Sequence, residues 1–147
     1  HAIGAGITVA EIQQSSDVTY RVYDYNRENA NHEKRPLHIE KAALVAGFMP
    51  PLAGHRPMGP RIRKNGYSRT LLVQCPYFVV QLYEISESVA GDTAEGFQSL
   101  LILEGEGVLK TSFGEMSLKA GDSIYLPKET GSYQIIGTLQ LLRSTEE

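Results

Sequence analysis

Leu103-Glu104-Gly105-Glu106-Gly107-Val108, followed by Gly121-Asp122-Ser123-Ile124-Tyr125-Leu126-Pro127, is the stretch of this sequence that decides its fold. The paired glycines permit a sharp hairpin, and Gly121-Asp122 opens a strand that stops at Pro127, where no further ladder donor is needed. Around it lie short β-rich runs bounded by turn residues, at 70–75, 77–85, 97–104, 107–112, 115–119, 123–126, 133–136 and 139–143. Eight short strands at this spacing predict an all-β antiparallel sandwich, jelly roll or barrel.

Outward toward the N-terminus the pattern changes. Residues 7–12 and 18–23 alternate β-branched or aromatic with polar residues around the polar break 13–17, and they read as two strands joined by a turn. In 37–46, Ile39, Ala42, Ala43 and Ala46 fall at helical spacing, with Gly47 placed as a C-cap. Five of the seven prolines lie between residues 36 and 60, so 47–67 reads as a connector. The expected organisation is therefore a two-strand arm and short helix in 1–46, a Pro-rich linker in 47–67, and a β domain in 68–147.

The chain has 147 residues, with 14 Lys+Arg against 17 Asp+Glu and a formal charge of -3, which excludes nucleic-acid binding by bulk positive charge. At 41% hydrophobic and 21% charged residues it sits in the globular range. A chain of this length buries roughly 70% of its unfolded surface, which suffices for one real core. Apolar runs such as 100–103 fall far short of the roughly 20 residues of a membrane span, so no membrane partner is expected. The single cysteine, Cys75, has no internal disulfide partner and reads as a buried, inert thiol. An intracellular, cytoplasmic protein is expected.

The two glycine-marked segments resemble the paired motifs of the cupin superfamily, which implies a double-stranded jelly roll. Metal-binding cupins place His-x-His before the first glycine turn and another His after the proline, so that imidazoles converge inside the barrel. Here 97–100 and 128–134 contain no histidine, and His1, His32, His38 and His55 all precede residue 56. The barrel in 68–147 is therefore expected to be metal-free.

His1-Ala2-Ile3-Gly4-Ala5-Gly6 and the string from Glu11 through Ser16-Asp17-Val18-Thr19-Tyr20-Arg21-Val22-Tyr23-Asp24-Tyr25 resemble the type I mannose-6-phosphate isomerases, above all their short bacterial forms. Arg35-Pro36-Leu37-His38-Ile39-Glu40-Lys41-Ala42 resembles the continuation of the same family. The resemblance implies an aldose–ketose isomerase that interconverts mannose 6-phosphate and fructose 6-phosphate with one zinc ion. It makes this chain the C-terminal half of a longer two-cupin enzyme, inactive alone, whose beginning is missing. By the same resemblance His1 is a zinc ligand, with the other ligands upstream, and Arg21 is catalytic. Glu11 and Asp17 match acidic residues near the same pocket. Residues 1–46 would belong to the end of the metal-binding cupin, their strands pairing with the missing half, with a second copy of the chain or with the C-terminal barrel.

The residues alone leave alternatives open. Arg21 on a strand is equally a solvated surface charge, and period two shows that Glu11 faces away from Ile12 without showing which face is the core. Arg56, Arg61, Arg63, Lys64 and Arg69 form a positive stretch that suits a sugar phosphate or a solvated linker. A non-enzymatic cupin-like binding or scaffold module is the rival reading from a different class.

Overall fold

The computed structural model describes residues 3–49 and 54–147, which fall into two units, one on either side of residues 52 and 53. In the second unit, strands β1 (Arg61–Lys64), β2 (Tyr67–Cys75), β3 (Phe78–Ile85), β4 (Ser88–Asp92), β5 (Gln98–Thr111), β6 (Gly114–Lys119), β7 (Ser123–Leu126) and β8 (Ser132–Thr145) form an antiparallel β structure. Its spine is the pair β5 and β8, fourteen residues each, matched from Gln98↔Thr145 to Thr111↔Tyr133. Each strand changes its outer partner along its length. The first half of β5 pairs β7 and its second half β6, while β8 pairs β4 and then β3, with β2 and β1 beyond.

The glycines of the opening motif work differently from expectation. They do not turn a hairpin: 97–104 and 107–112 are one continuous strand, and so are 133–136 and 139–143. Gly107 instead faces Gly137 across the β5–β8 ladder. A Cβ on Gly137 would lie 2.5 Å from the Glu106 carbonyl oxygen and 2.6 Å from Gly107 Cα, so the two strands approach too closely for side chains where they bend. A bulge accompanies the bend. Ile102 opposes Leu141 and Glu104 opposes Gln140, which leaves Leu103 as the extra residue. One extra residue inverts the alternation. Accordingly Gln98, Leu100 and Ile102 point inward before the bulge, and Leu109 does so after it.

The core gathers Leu100, Ile102, Leu109, Leu118, Ile135, Leu139 and Leu141, all nearly inaccessible. Each such side chain stabilises the fold by about 1.5–3 kcal/mol on burial. Strand β1 lies inside the stretch expected as a linker. The last proline of that stretch is Pro60, and Asn65-Gly66, with Gly66 at φ 78, turns Lys64 back onto Tyr67. Its Arg-Ile-Arg-Lys sequence is exposed throughout, a charged edge of the kind that resists pairing with other sheets. Strand β4 escapes the sequence reading because Gly91 interrupts it, and the Tyr133 ring occupies the space a Cβ would need.

In the first unit the two strands expected at 7–12 and 18–23 do not form a ladder. Among the described residues the unit's only β-bridge is Glu28↔Lys34. β propensity makes a strand only where a neighbouring strand takes up the backbone N–H and C=O groups in register, and among the described residues these segments have only single bonds such as those of Arg21 with His38. The helix forms as α1 (Ile39–Val45), without a buried residue. Extended Ala46 (φ -66, ψ 128) ends it, so Gly47 is not the left-handed cap expected from the sequence. Of the unit's described residues only Asp24 is buried, while Ile7, Val9, Val18, Val22, Tyr23, Leu44 and Phe48 are exposed. Among its described residues the unit has no hydrophobic core of its own. No helix among the described residues is long and apolar enough to cross a membrane.

Candidate functional site

The chain from Arg21 to His38 folds back on itself around Asp24. Tyr25 and Asn26, both at φ 53, form a tight turn in which the Arg27 N–H donates to the Asp24 carbonyl at 3.0 Å. The Asn29 side chain then accepts the N–H groups of Asn31 and Glu33 and closes the next loop beside the Glu28↔Lys34 bridge. The chain returns at Pro36 and His38. There the Arg21 N–H donates to His38 Nδ1 at 3.2 Å, and the His38 N–H donates to the Arg21 carbonyl at 2.7 Å. Nδ1 is thus the acceptor nitrogen of His38.

Three guanidinium groups meet the carboxylate enclosed by this loop. Arg27 Nη2 donates to Asp24 Oδ1 at 2.5 Å, Arg35 Nε lies 3.6 Å from Oδ2, and Arg21 Nε lies 3.9 Å from Oδ1. The Arg27 hydrogen bond above all, with the charges of Arg27, Arg35 and Arg21, holds the Asp24 carboxyl below the usual carboxylate range against its partial desolvation. Arg21 is the most enclosed of the three, its side chain 17% exposed, and its Nη1 donates to the Pro36 carbonyl. Three cations around one anion leave a positive site. Arg21 therefore belongs to a built cluster and is not a solvated strand residue.

Of the other residues singled out in the sequence, Glu11 and Asp17 are exposed and make no hydrogen bond or ion pair among the described residues. His1 lies outside the described residues. Asp24 escaped the sequence reading, although Arg21-x-x-Asp24-x-x-Arg27, with a turn-forming Asp-Tyr-Asn inside it, was the available signal. In the basic stretch, Arg61 Nε meets Glu84 Oε2 at 2.8 Å and donates to Ser68 Oγ at 2.9 Å, so that charge is tied into the sheet.

Beside its apolar core the barrel holds a small network of polar side chains. The Tyr133 hydroxyl donates to Gln98 Oε1 at 2.6 Å, and Gln98 Nε2 donates to the Asp92 carbonyl at 2.6 Å. Arg143 Nη2 donates to Gln81 Oε1, and its guanidinium lies 5.0 Å from the centre of the Tyr83 ring. Tyr83, Tyr133 and Arg143, with the apolar Val89, Leu100 and Leu141, border a cavity of about 10 Å³, no larger than one water needs. Burial pushes the Tyr133 hydroxyl pKa up. Phe113, Met116, Ile124, Tyr125 and Pro127, with the core residues Leu109 and Leu126, line an open apolar groove of about 380 Å³.

Zinc requires three or four His, Cys, Asp or Glu ligands, and no three such side chains converge among the described residues. In the barrel a cation would face the Arg143 guanidinium, and at Asp24 it would face three arginines. The described residues therefore do not fit a zinc ion.

Residues 68–146, more than half of the chain, match the family of the mannose-6-phosphate isomerase cupin domain. The chain belongs to that family. Over 144 residues, 98% of the chain, it is 37% identical to the mannose-6-phosphate isomerase of Streptococcus mutans and 33% identical to the mannose-6-phosphate isomerase ManA of Bacillus subtilis. It spans 45% of the length of either relative. The crystal structure of a Bacillus subtilis mannose 6-phosphate isomerase superposes on 88% of the chain and 41% of its own, with a TM-score of 0.76 at 34% identity. A cupin superfamily protein from Desulfitobacterium hafniense, at 22% identity and a TM-score of 0.50, shares the fold over 58% of the chain and 81% of its own. The family's cupin domain is thus the β unit, and the similarity to whole isomerases extends through the Asp24 cluster.

Proposed function

We propose that this chain is the C-terminal part of a mannose-6-phosphate isomerase, interconverting mannose 6-phosphate and fructose 6-phosphate, with Arg21 as a catalytic residue. The observation that carries the proposal is the enclosed Arg21, held through its backbone by His38 and bordered by Asp24, in a chain similar along 98% of its length to such isomerases. Aldose–ketose exchange takes a proton from C2, returns one to C1 and passes through an enediolate. Its negative oxygen needs a fixed positive group, and a guanidinium in a site with little water supplies one that never deprotonates. Arg21 Nη2 has no partner among the described residues and is the edge assigned to that oxygen. Glu11 is assigned to proton transfer and Asp17 to the wall of the same pocket, both being carboxylates without an ion-pair partner among the described residues.

The zinc ion belongs to the same proposal only through His1, with its remaining ligands outside this chain, and no step above depends on it. The exposed apolar side chains of 3–49 are assigned to packing against the rest of the longer isomerase, because the chain accounts for 45% of its relatives' length. Cytoplasmic location is part of this reading, in keeping with the lone thiol of Cys75. The test is formation of fructose 6-phosphate from mannose 6-phosphate by the full-length protein that carries this chain, beside the 147-residue chain alone. Turnover by the former and none by the latter is expected. An inactive full-length protein contradicts the isomerase, and a fully active 147-residue chain contradicts its being a part of one.

A further inference from the structure

We infer that Asp24 is the positioning residue of Arg21: its carboxylate gathers the three arginines and sets the direction in which Arg21 presents its remaining guanidinium edge. The inference rests on the proposed catalytic role of Arg21 and assigns a role to the one buried residue among the described residues of that unit. Asp24 sits three residues after Arg21 and three before Arg27, and the chain from 28 to 35 is closed so that Arg35 arrives at the other oxygen. Its side chain is 8% exposed, and Oδ2 is buried without a hydrogen bond, with only Arg35 Nε nearby at 3.6 Å.

A buried carboxylate is costly unless the surrounding charges hold it. Here they do, and each guanidinium is in turn held by the carboxylate. Arg27 and Arg35 are half or more exposed, whereas Arg21 is enclosed. The asymmetry matters. Arg27 hydrogen-bonds Oδ1 of Asp24 and Arg35 offsets the charge at Oδ2, while Asp24 together with the Pro36 carbonyl restrains the rotation of Arg21, with Nε turned to the carboxylate and Nη1 to the carbonyl. Nη2 is left facing elsewhere. Without the carboxylate, three like charges crowd one loop, and Arg21 moves away from the other two.

The test is a double-mutant cycle in the full-length protein, measuring kcat and KM for mannose 6-phosphate with melting temperature alongside. Asp24→Asn is expected to lower kcat about 100-fold with a smaller change in KM, as misplacement of a reacting group by about 1 Å does. Asp24→Glu, which keeps the charge, recovers part of that loss and serves as the folded comparison should Asp24→Asn melt early. Adding Asp24→Asn to Arg21→Ala costs nothing further, because the residue acts through Arg21. Normal kcat in Asp24→Asn beside an inactive Arg21→Ala overturns this assignment alone, as do losses that multiply. A fully active Arg21→Ala overturns the reading of Arg21 and this assignment with it.

Discussion

Replacing Gly137 with Ala tests whether the close approach of β5 and β8 shapes the barrel. Gly137 adopts φ 146, a conformation L side chains rarely take, and its added Cβ would meet the Glu106 carbonyl oxygen at 2.5 Å. Backbone strain at such a position costs about 1–3 kcal/mol. Ordinary contact needs about 3.5 Å, so the facing backbone must also yield, and overpacking of this kind adds about 1–3 kcal/mol. The total is about 4 kcal/mol, a large share of the 5–15 kcal/mol typical of a domain. Gly131 is the control: it has φ 70 and nothing within 4 Å of its added Cβ, so Gly131→Ala costs about 1 kcal/mol. In urea denaturation followed by circular dichroism, the Gly137→Ala midpoint should fall by about 2 M and that of Gly131→Ala by less than about 1 M. Equal shifts in the two variants refute the reasoning, since strain without the clash would then account for both.

Leu100→Ala empties a fully buried core position and should lower stability by about 3 kcal/mol in the same denaturation experiment. Tyr133→Phe removes the donor to Gln98 Oε1 and should cost about 1–2 kcal/mol. Because burial raises the Tyr133 pKa above 10.0, its contribution is fully present below pH 10.0 and is lost as pH rises through the higher native value. In the 295 nm absorbance titration of the native protein, one tyrosine should ionise late, and Tyr133→Phe should abolish that late step. For Asp24 the sign is opposite: its native pKa lies below 3.8, so its stabilisation is present above pH 3.8 and is lost as pH falls through the native value. Melting temperature should therefore drop more steeply in wild type than in Asp24→Asn over that acid range.

The β domain was legible because its signals are local. Pro127 ends β7 where expected, and the runs at 115–119 and 123–126 reappear within a residue of their predicted bounds. The glycine motif was read as a turn because Gly105-Glu106-Gly107 looks like a break along one strand. Its real meaning, close passage of Gly137, lies across a ladder between residues about thirty apart and leaves no local trace. At the candidate site Arg21 was found through resemblance. Asp24 was not, since its burial depends on Arg35, which a closed loop brings back, and no periodicity announces such a loop. The arm at 7–12 and 18–23 has strand propensity without a partner strand among the described residues, and propensity alone does not supply one.

The most direct measurement is kcat for the mannose 6-phosphate to fructose 6-phosphate conversion by the full-length protein with Arg21 intact and with Arg21→Ala, at matched metal content. Loss of a guanidinium that stabilises the enediolate should lower kcat by about 10²–10³-fold, with folding unchanged by circular dichroism. Undiminished kcat in a folded Arg21→Ala protein would contradict the account.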